Sequence, residues 1–146
     1  MEPRHHDVTV IAHRGFAGVA PENTVAAVRG AVEAGADAIE LDVQPTADGD
    51  VVVFHDRRLD GPAGETGLTD GTGVVWEQPT NEVTSAHVLD TEERVPLLAD
   101  VLAAVPGRTP SLPGFLSSTL TVTRPGEALS SEERSAALER WRPFVA

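Results

Sequence analysis

The sequence predicts an α/β fold with parallel strands, and three observations carry that reading. A short apolar run, Val8-Thr9-Val10-Ile11-Ala12, ends at His13; a helical stripe of valines lies between Asn23 and Gly35; and a second apolar run, Ala38 to Val43, begins within three residues of that glycine. A strand, a helix and a second strand at this spacing form a crossover unit, which sets the two strands side by side in parallel.

Each element follows from local chemistry. Val8 to Ala12 is β-branched and apolar throughout, as expected of a strand buried on both faces, and it delivers His13-Arg14-Gly15 at its C-terminal end. Gly18 and Pro21 mark a loop; Asn23 is the expected helix N-cap, Val25, Val28 and Val32 form an i, i+3, i+7 stripe, and Gly35 stops the helix. In the second strand, side chains alternate between faces, so Glu40 and Asp42 project together while Ile39, Leu41 and Val43 project the other way. Two carboxylates this close need water, a cationic side chain or a metal ion. Thr46-Ala47-Asp48-Gly49 has turn chemistry, and Val51-Val52-Val53-Phe54 reads as a further strand ending at His55-Asp56.

Beyond His55, Gly61 to Gly73 reads as a long polar surface loop, and Thr80 to Leu89 as a short helix with His87 on one face. Pro96 is expected in the first turn of a helix through Leu97, Leu98, Val101 and Leu102. Ser130 and Glu133 have capping-box spacing ahead of a closing helix containing Ala136, Ala137, Leu138 and Trp141. His5 and His6 belong to a solvated N-terminal stretch.

Composition narrows the function classes. With 146 residues, 40% of them hydrophobic, the chain can bury a core, and its net charge of -12 argues against a nucleic-acid partner. All 11 basic residues are arginine, a balance that suits a protein working in high salt, with a GC-rich genome favouring arginine codons as the alternative. Without cysteine there is neither disulfide nor thiolate chemistry. No apolar run approaches the roughly 20 residues of a membrane span, and no basic segment leads into a signal core, so a cytoplasmic location is expected.

Five segments in register carry a resemblance: His13-Arg14-Gly15, Pro21-Glu22-Asn23-Thr24, Gly35 to Val43, Thr46-Ala47-Asp48-Gly49 and Val52-Val53-Phe54-His55-Asp56. Together with Pro96 to Leu102 they resemble the N-terminal signature of the glycerophosphodiester phosphodiesterase family. The resemblance covers residues 8–105 and fades over residues 106–146, a divergent tail whose role the sequence leaves open. It implies a TIM-barrel-like (β/α)8 fold, present here as its first few βα units, with catalytic groups at the C-terminal ends of parallel strands. It implies hydrolysis of a small-molecule glycerophosphodiester to glycerol 3-phosphate and an alcohol, assisted by Ca²⁺ or Mg²⁺. Glu40 and Asp42 would hold the metal, His13 and His55 would serve as acid and base, and Arg14 would contact a phosphate oxygen.

The departures are equally specific. The family's further acidic ligand, in a Glu-x-Lys pattern, should follow the helix near Pro96, where this chain has Gly107-Arg108-Thr109-Pro110-Ser111-Leu112-Pro113. Residues 1–100 hold 19 acids and 6 arginines, whereas residues 101–146 hold 4 acids and 5 arginines. A complete barrel takes about 200 to 250 residues, and with the loss of acidity at the same point the tail is expected to derive from a deletion, a change of reading frame or a gene remnant. An open barrel exposes strand edges, which favours self-association. The alternatives to a working hydrolase are an inactive remnant or interaction module of the family and a related phospholipase-like barrel; the polar Gly61 to Gly73 loop argues against the last.

Overall fold

A computed structural model of the chain describes residues 10–61 and 68–105, together with the backbone of residues 109–111 and 119–123. The first unit is strand β1 (Ile11–His13), helix α1 (Val25–Glu33) and strand β2 (Ala38–Pro45). β1 and β2 pair in parallel with Ile11 opposite Ala38, Ala12 opposite Ile39 and His13 opposite Glu40, as the crossover spacing predicts. Helix α1 ends where Gly35 was expected to stop it: the Gly35 amide donates to Val32 and the Ala36 amide to Ala31, at 3.0 and 3.1 Å. That pairing satisfies the last carbonyls and requires the left-handed φ of 81° that glycine adopts without strain.

β2 is the hub of the structure. Its N-terminal part lies between β1 and an antiparallel strand β5 (Thr119–Thr123), which carries β4 (Thr109–Ser111) at the far edge. Its C-terminal part turns through Thr46 to Asp50 into β3 (Val51–Val53), again antiparallel. The strand flanking β2 opposite β1 is antiparallel, where a barrel of parallel units places a parallel one.

The alternation of β2 builds the first core. Ile39, Leu41 and Val43 are buried with Val28 and Ala31 of α1 and Val101 of α3 (Leu98–Ala103). Strand β3 is apolar at every position because it borders two cores. Val51 and Val53 join the first, while Val52 and Phe54 face a second made with Leu59, Val75, Val83, Val88 and Val95. A single-turn 3-10 helix (Val75–Glu77) and α2 (Thr80–Ser85) cover that second core.

Five expectations are corrected. β1 is not buried on both faces: it ends the sheet, and Val10 and Ile11 are each 56% exposed, because its outer edge has no neighbouring strand among the described residues. Asn23 is not the N-cap of α1; Thr24 is, its hydroxyl accepting from the Ala27 amide. α2 stops at Ser85, since Ala86 turns extended and its amide and carbonyl bond Val83 and Val95, so His87 lies on an irregular crossing opposite Arg94 rather than on a helix. Pro96 precedes α3 instead of opening it, and its carbonyl accepts from the Val53 amide at 2.9 Å. His55 follows a hairpin strand antiparallel to β2, not a parallel barrel strand. The expected closing helix from Ser130, together with His5 and His6, lies outside the described residues.

Candidate active site

The turn after β1 carries the first candidates into place. Arg14 and Gly15 both have positive φ, 58° and 82°, so the chain reverses sharply as it leaves the strand. The reversal is pinned at both ends, by the Arg14 amide donating to Glu40 at 2.8 Å and the Asn23 amide donating to Arg14 at 2.9 Å. Gly15 packs against α1 so closely that a β-carbon there would sit 2.7 Å from the Ala27 carbonyl carbon. A side chain at residue 15 would push the turn off the helix.

Four of the five predicted site residues form one cluster. His13 lies beside Glu40 in register, with Nε2 at 3.4 Å from Oε2. Arg14 donates from Nη1 to Glu22, and its Nε is 3.2 Å from Oδ2 of Asp42, an ion-pair distance without hydrogen-bond alignment. Burial works against the guanidinium charge, but the Glu22 hydrogen bond and the fields of Glu22, Asp42 and Glu40 outweigh it, so the Arg14 pKa is raised above its ordinary value. The same Oδ2 of Asp42 accepts from Asn23 Nδ2 at 3.0 Å, while Asn23 Oδ1 accepts from the Asp42 amide at 3.3 Å. Asn23 is 2% exposed and holds a φ of 56°, a conformation that asparagine tolerates better than most residues.

The fifth residue, His55, arrives by way of the β2–β3 hairpin. The Phe54 amide donates to the Asp42 carbonyl at 2.9 Å, so the chain reaches His55 immediately after contacting the acid strand. His55 Nδ1 is 2.7 Å from Asp56 Oδ1, and its ring is partly open to solvent. Gln44, buried on β2, donates to the Phe54 and Asp56 carbonyls on either side. Sequence reasoning took Asn23 for a cap and missed Gln44. The spacing Glu40, Asp42, Gln44 on one strand face was the signal available for the last.

Glu40 Oε2 is buried and accepts no hydrogen bond, so it is an acid oxygen available for a cation; Asp42 stands two residues along on the same face. Hard carboxylate oxygens suit Ca²⁺ or Mg²⁺, and Mg²⁺ commonly takes one or two protein carboxylates beside water and phosphate oxygens. Among the described residues no group of three or more His, Asp or Glu side chains is placed to share one ion. The fit is that of a two-carboxylate site.

Comparison with known proteins now decides the family. The model of the glycerophosphoryl diester phosphodiesterase family matches residues 13–112. The chain belongs to that family. Among its relatives, a glycerophosphodiester phosphodiesterase of Caldanaerobacter subterraneus is 42% identical over 102 residues, covering 66% of this chain and 40% of that protein. An uncharacterized Bacillus subtilis protein is 43% identical over 94 residues, covering 64% and 39%. Of the solved structures, an Oleispira antarctica phosphodiesterase in complex with the product sn-glycerol-3-phosphate superposes with a TM-score of 0.60 at 33% identity, over 67% of this chain and 40% of that one. A glycerophosphodiester phosphodiesterase from Agrobacterium tumefaciens superposes at 0.58 with 38% identity, over 65% and 41%. These relatives are TIM barrels, and this family member presents an incomplete one. The chain spans about two fifths of the length of the relatives it matches.

Proposed function

We propose that this site hydrolyses a small glycerophosphodiester to glycerol 3-phosphate and an alcohol. One observation carries the reading: His13 stands 3.4 Å from a buried acid oxygen of Glu40 that accepts no hydrogen bond, with Asp42 on the same strand face. The sn-glycerol-3-phosphate bound by the Oleispira relative supports the product assignment.

Glu40 and Asp42 would hold a Ca²⁺ or Mg²⁺ ion, which when bound would neutralise charge on the phosphoryl oxygens. Of His13 and His55, one takes a proton from the attacking water as the new P–O bond forms. The other gives a proton to the alkoxide as the bond to the alcohol breaks. Arg14, already charged and held in place between Glu22 and Asp42, would turn the rest of its guanidinium to a phosphate oxygen. The high-salt and cytoplasmic setting read from composition is part of the same proposal. Among the described residues, no helix is long and apolar enough to cross a membrane.

A second reading, a family member that keeps the parts of the site without turnover, rests on the lack, among the described residues, of a third acidic side chain placed with Glu40 and Asp42. Release of choline from glycerophosphocholine, followed with Mg²⁺, Ca²⁺ or a chelator in 1 M KCl, separates the two. Turnover that the chelator and His13→Ala both abolish establishes the hydrolase. Absence of turnover from folded protein in every metal refutes it. The outer edge of β1, which pairs with no strand among the described residues and exposes Ile11, supports self-association, and size-exclusion chromatography of the same sample tests that.

A further inference from the structure

Gln44 is the third polar residue on the acid-bearing face of β2, after Glu40 and Asp42, and it is buried. It has neither charge nor a place among the candidate metal ligands. Its Nε2 donates to the Phe54 carbonyl at 2.7 Å and to the Asp56 carbonyl at 2.8 Å. Those two carbonyls belong to the residues on either side of His55. One side chain therefore grips the backbone before and after the imidazole. The Asp56 carboxylate completes the arrangement with its 2.7 Å contact to His55 Nδ1.

The chemistry at residue 44 is specific. A nitrogen that carries two protons, as a primary amide does, can give a separate hydrogen bond to each of two carbonyl oxygens. A glutamate of the same shape would turn lone pairs toward both carbonyls. The Gln44 Oε1 is buried and accepts no hydrogen bond, so the two donated bonds orient the amide. An ionised Asp56 carboxylate can only accept, so the proton in its contact with a neutral His55 ring sits on Nδ1.

We infer that Gln44 is a positioning residue for His55: it fixes the backbone from Phe54 to Asp56, so that Asp56 holds the ring proton on Nδ1 and Nε2 is left to exchange a proton with the reacting oxygen. The catalytic half of this inference rests on the acid–base role proposed for His55; the tautomer half does not. Binding alone would be served by a rigid hairpin, whereas proton transfer needs one nitrogen kept bare and aimed.

Long-range proton–nitrogen correlation spectra of ¹⁵N-histidine-labelled protein read the tautomer directly, in the full chain and in Gln44→Met and Gln44→Glu. The expected wild-type neutral ring of His55 carries its proton on Nδ1. Both variants move it toward a mixture with Nε2–H and leave the His13 and His87 signals in place. With glycerophosphocholine, kcat falls by about tenfold to a hundredfold while KM stays within about twofold, as expected when a catalytic group is misaimed. If Gln44→Met does not fold, Gln44→Asn, one methylene too short to bridge both carbonyls, is read in the same way. A wild-type ring protonated on Nε2, or an Nδ1–H form unchanged in every folded variant, overturns the inference. So does release of the tautomer with kcat unchanged in an active enzyme. An inactive wild-type chain whose His55 is locked on Nδ1–H and freed by Gln44→Met sinks the hydrolase reading and leaves the positioning role standing.

Discussion

Replacing Asn23 separates what its side chain does for Asp42 from what its backbone does for the turn. Asn23→Gly keeps the left-handed φ of 56° without strain and removes both bonds to Asp42, at 3.0 and 3.3 Å. A hydrogen bond to a charged acceptor is worth about 1.5–3 kcal/mol and an ordinary one about 1. Asp42 is buried, so water replaces these bonds poorly, and the expected loss is about 2–4 kcal/mol. Asn23→Ala loses the same bonds and, relative to the glycine variant, keeps about 1–2 kcal/mol of strain from a β-carbon at positive φ. It recovers about 0.4–1 kcal/mol because alanine restricts the unfolded chain. Alanine should therefore be the worse substitution by about 1 kcal/mol. Urea unfolding followed by tryptophan fluorescence measures both. With m of about 1.5 kcal/mol/M, a loss of about 3 kcal/mol lowers the midpoint by about 2 M. A glycine variant within about 0.5 kcal/mol of wild type, which is the range of ordinary surface substitutions, refutes the support assigned to Asp42. An alanine variant as stable as the glycine variant refutes the backbone argument.

Three further outcomes follow from the same structure. Gly15→Ala places a β-carbon 2.7 Å from the Ala27 backbone at a φ of 82°, and should cost about 3 kcal/mol or more, on the order of 10 °C in Tm; Gly18→Ala, with nothing within 4 Å, is the control and should leave Tm nearly unchanged. The Asp70 carboxyl is held below its ordinary pKa by the His87 side-chain hydrogen bond, so its contribution is complete above the ordinary range near pH 4 and is lost as pH falls through the lower folded value. An acid titration of the His87 amide shift, whose donor bond to Asp70 is 2.7 Å, should show that step, and Asp70→Asn should abolish it; a midpoint at or above pH 4 contradicts the assignment. Raising KCl from 0.1 to 1 M shortens the screening length from about 10 to about 3 Å. With a net charge of -12, the chain should gain thermal stability in that titration, and a falling Tm counts against charge repulsion as the reason.

Much of the site was legible because strands and short crossovers leave periodic marks. Alternation on β2 separated Glu40 and Asp42 from Ile39, Leu41 and Val43, and the core contains those three apolar residues. The spacing from His13 to Ala38 foretold the parallel pair that sets His13 beside Glu40. Where partners lie far apart in sequence, the pattern misled. A continuous apolar run suggested that β1 was buried on both faces, but burial depends on a neighbouring strand that periodicity cannot supply. Asn23 has the right chemistry for a cap, and only its approach to Asp42, 19 residues away, shows that its amide is used elsewhere.

The sequence by itself determined the family, the order of the βα elements and the residue types of the site, because these depend on local period and on motifs in register. Tertiary structure decided which charges meet. It set Arg14 between Glu22 and Asp42, left the Glu40 oxygen beside His13 without a hydrogen bond, and placed Gln44 on both sides of His55. It also laid the antiparallel β5 along β2. A hydrogen bond or ion pair acts over about 3 Å, a distance that only the folded chain sets between residues far apart in sequence.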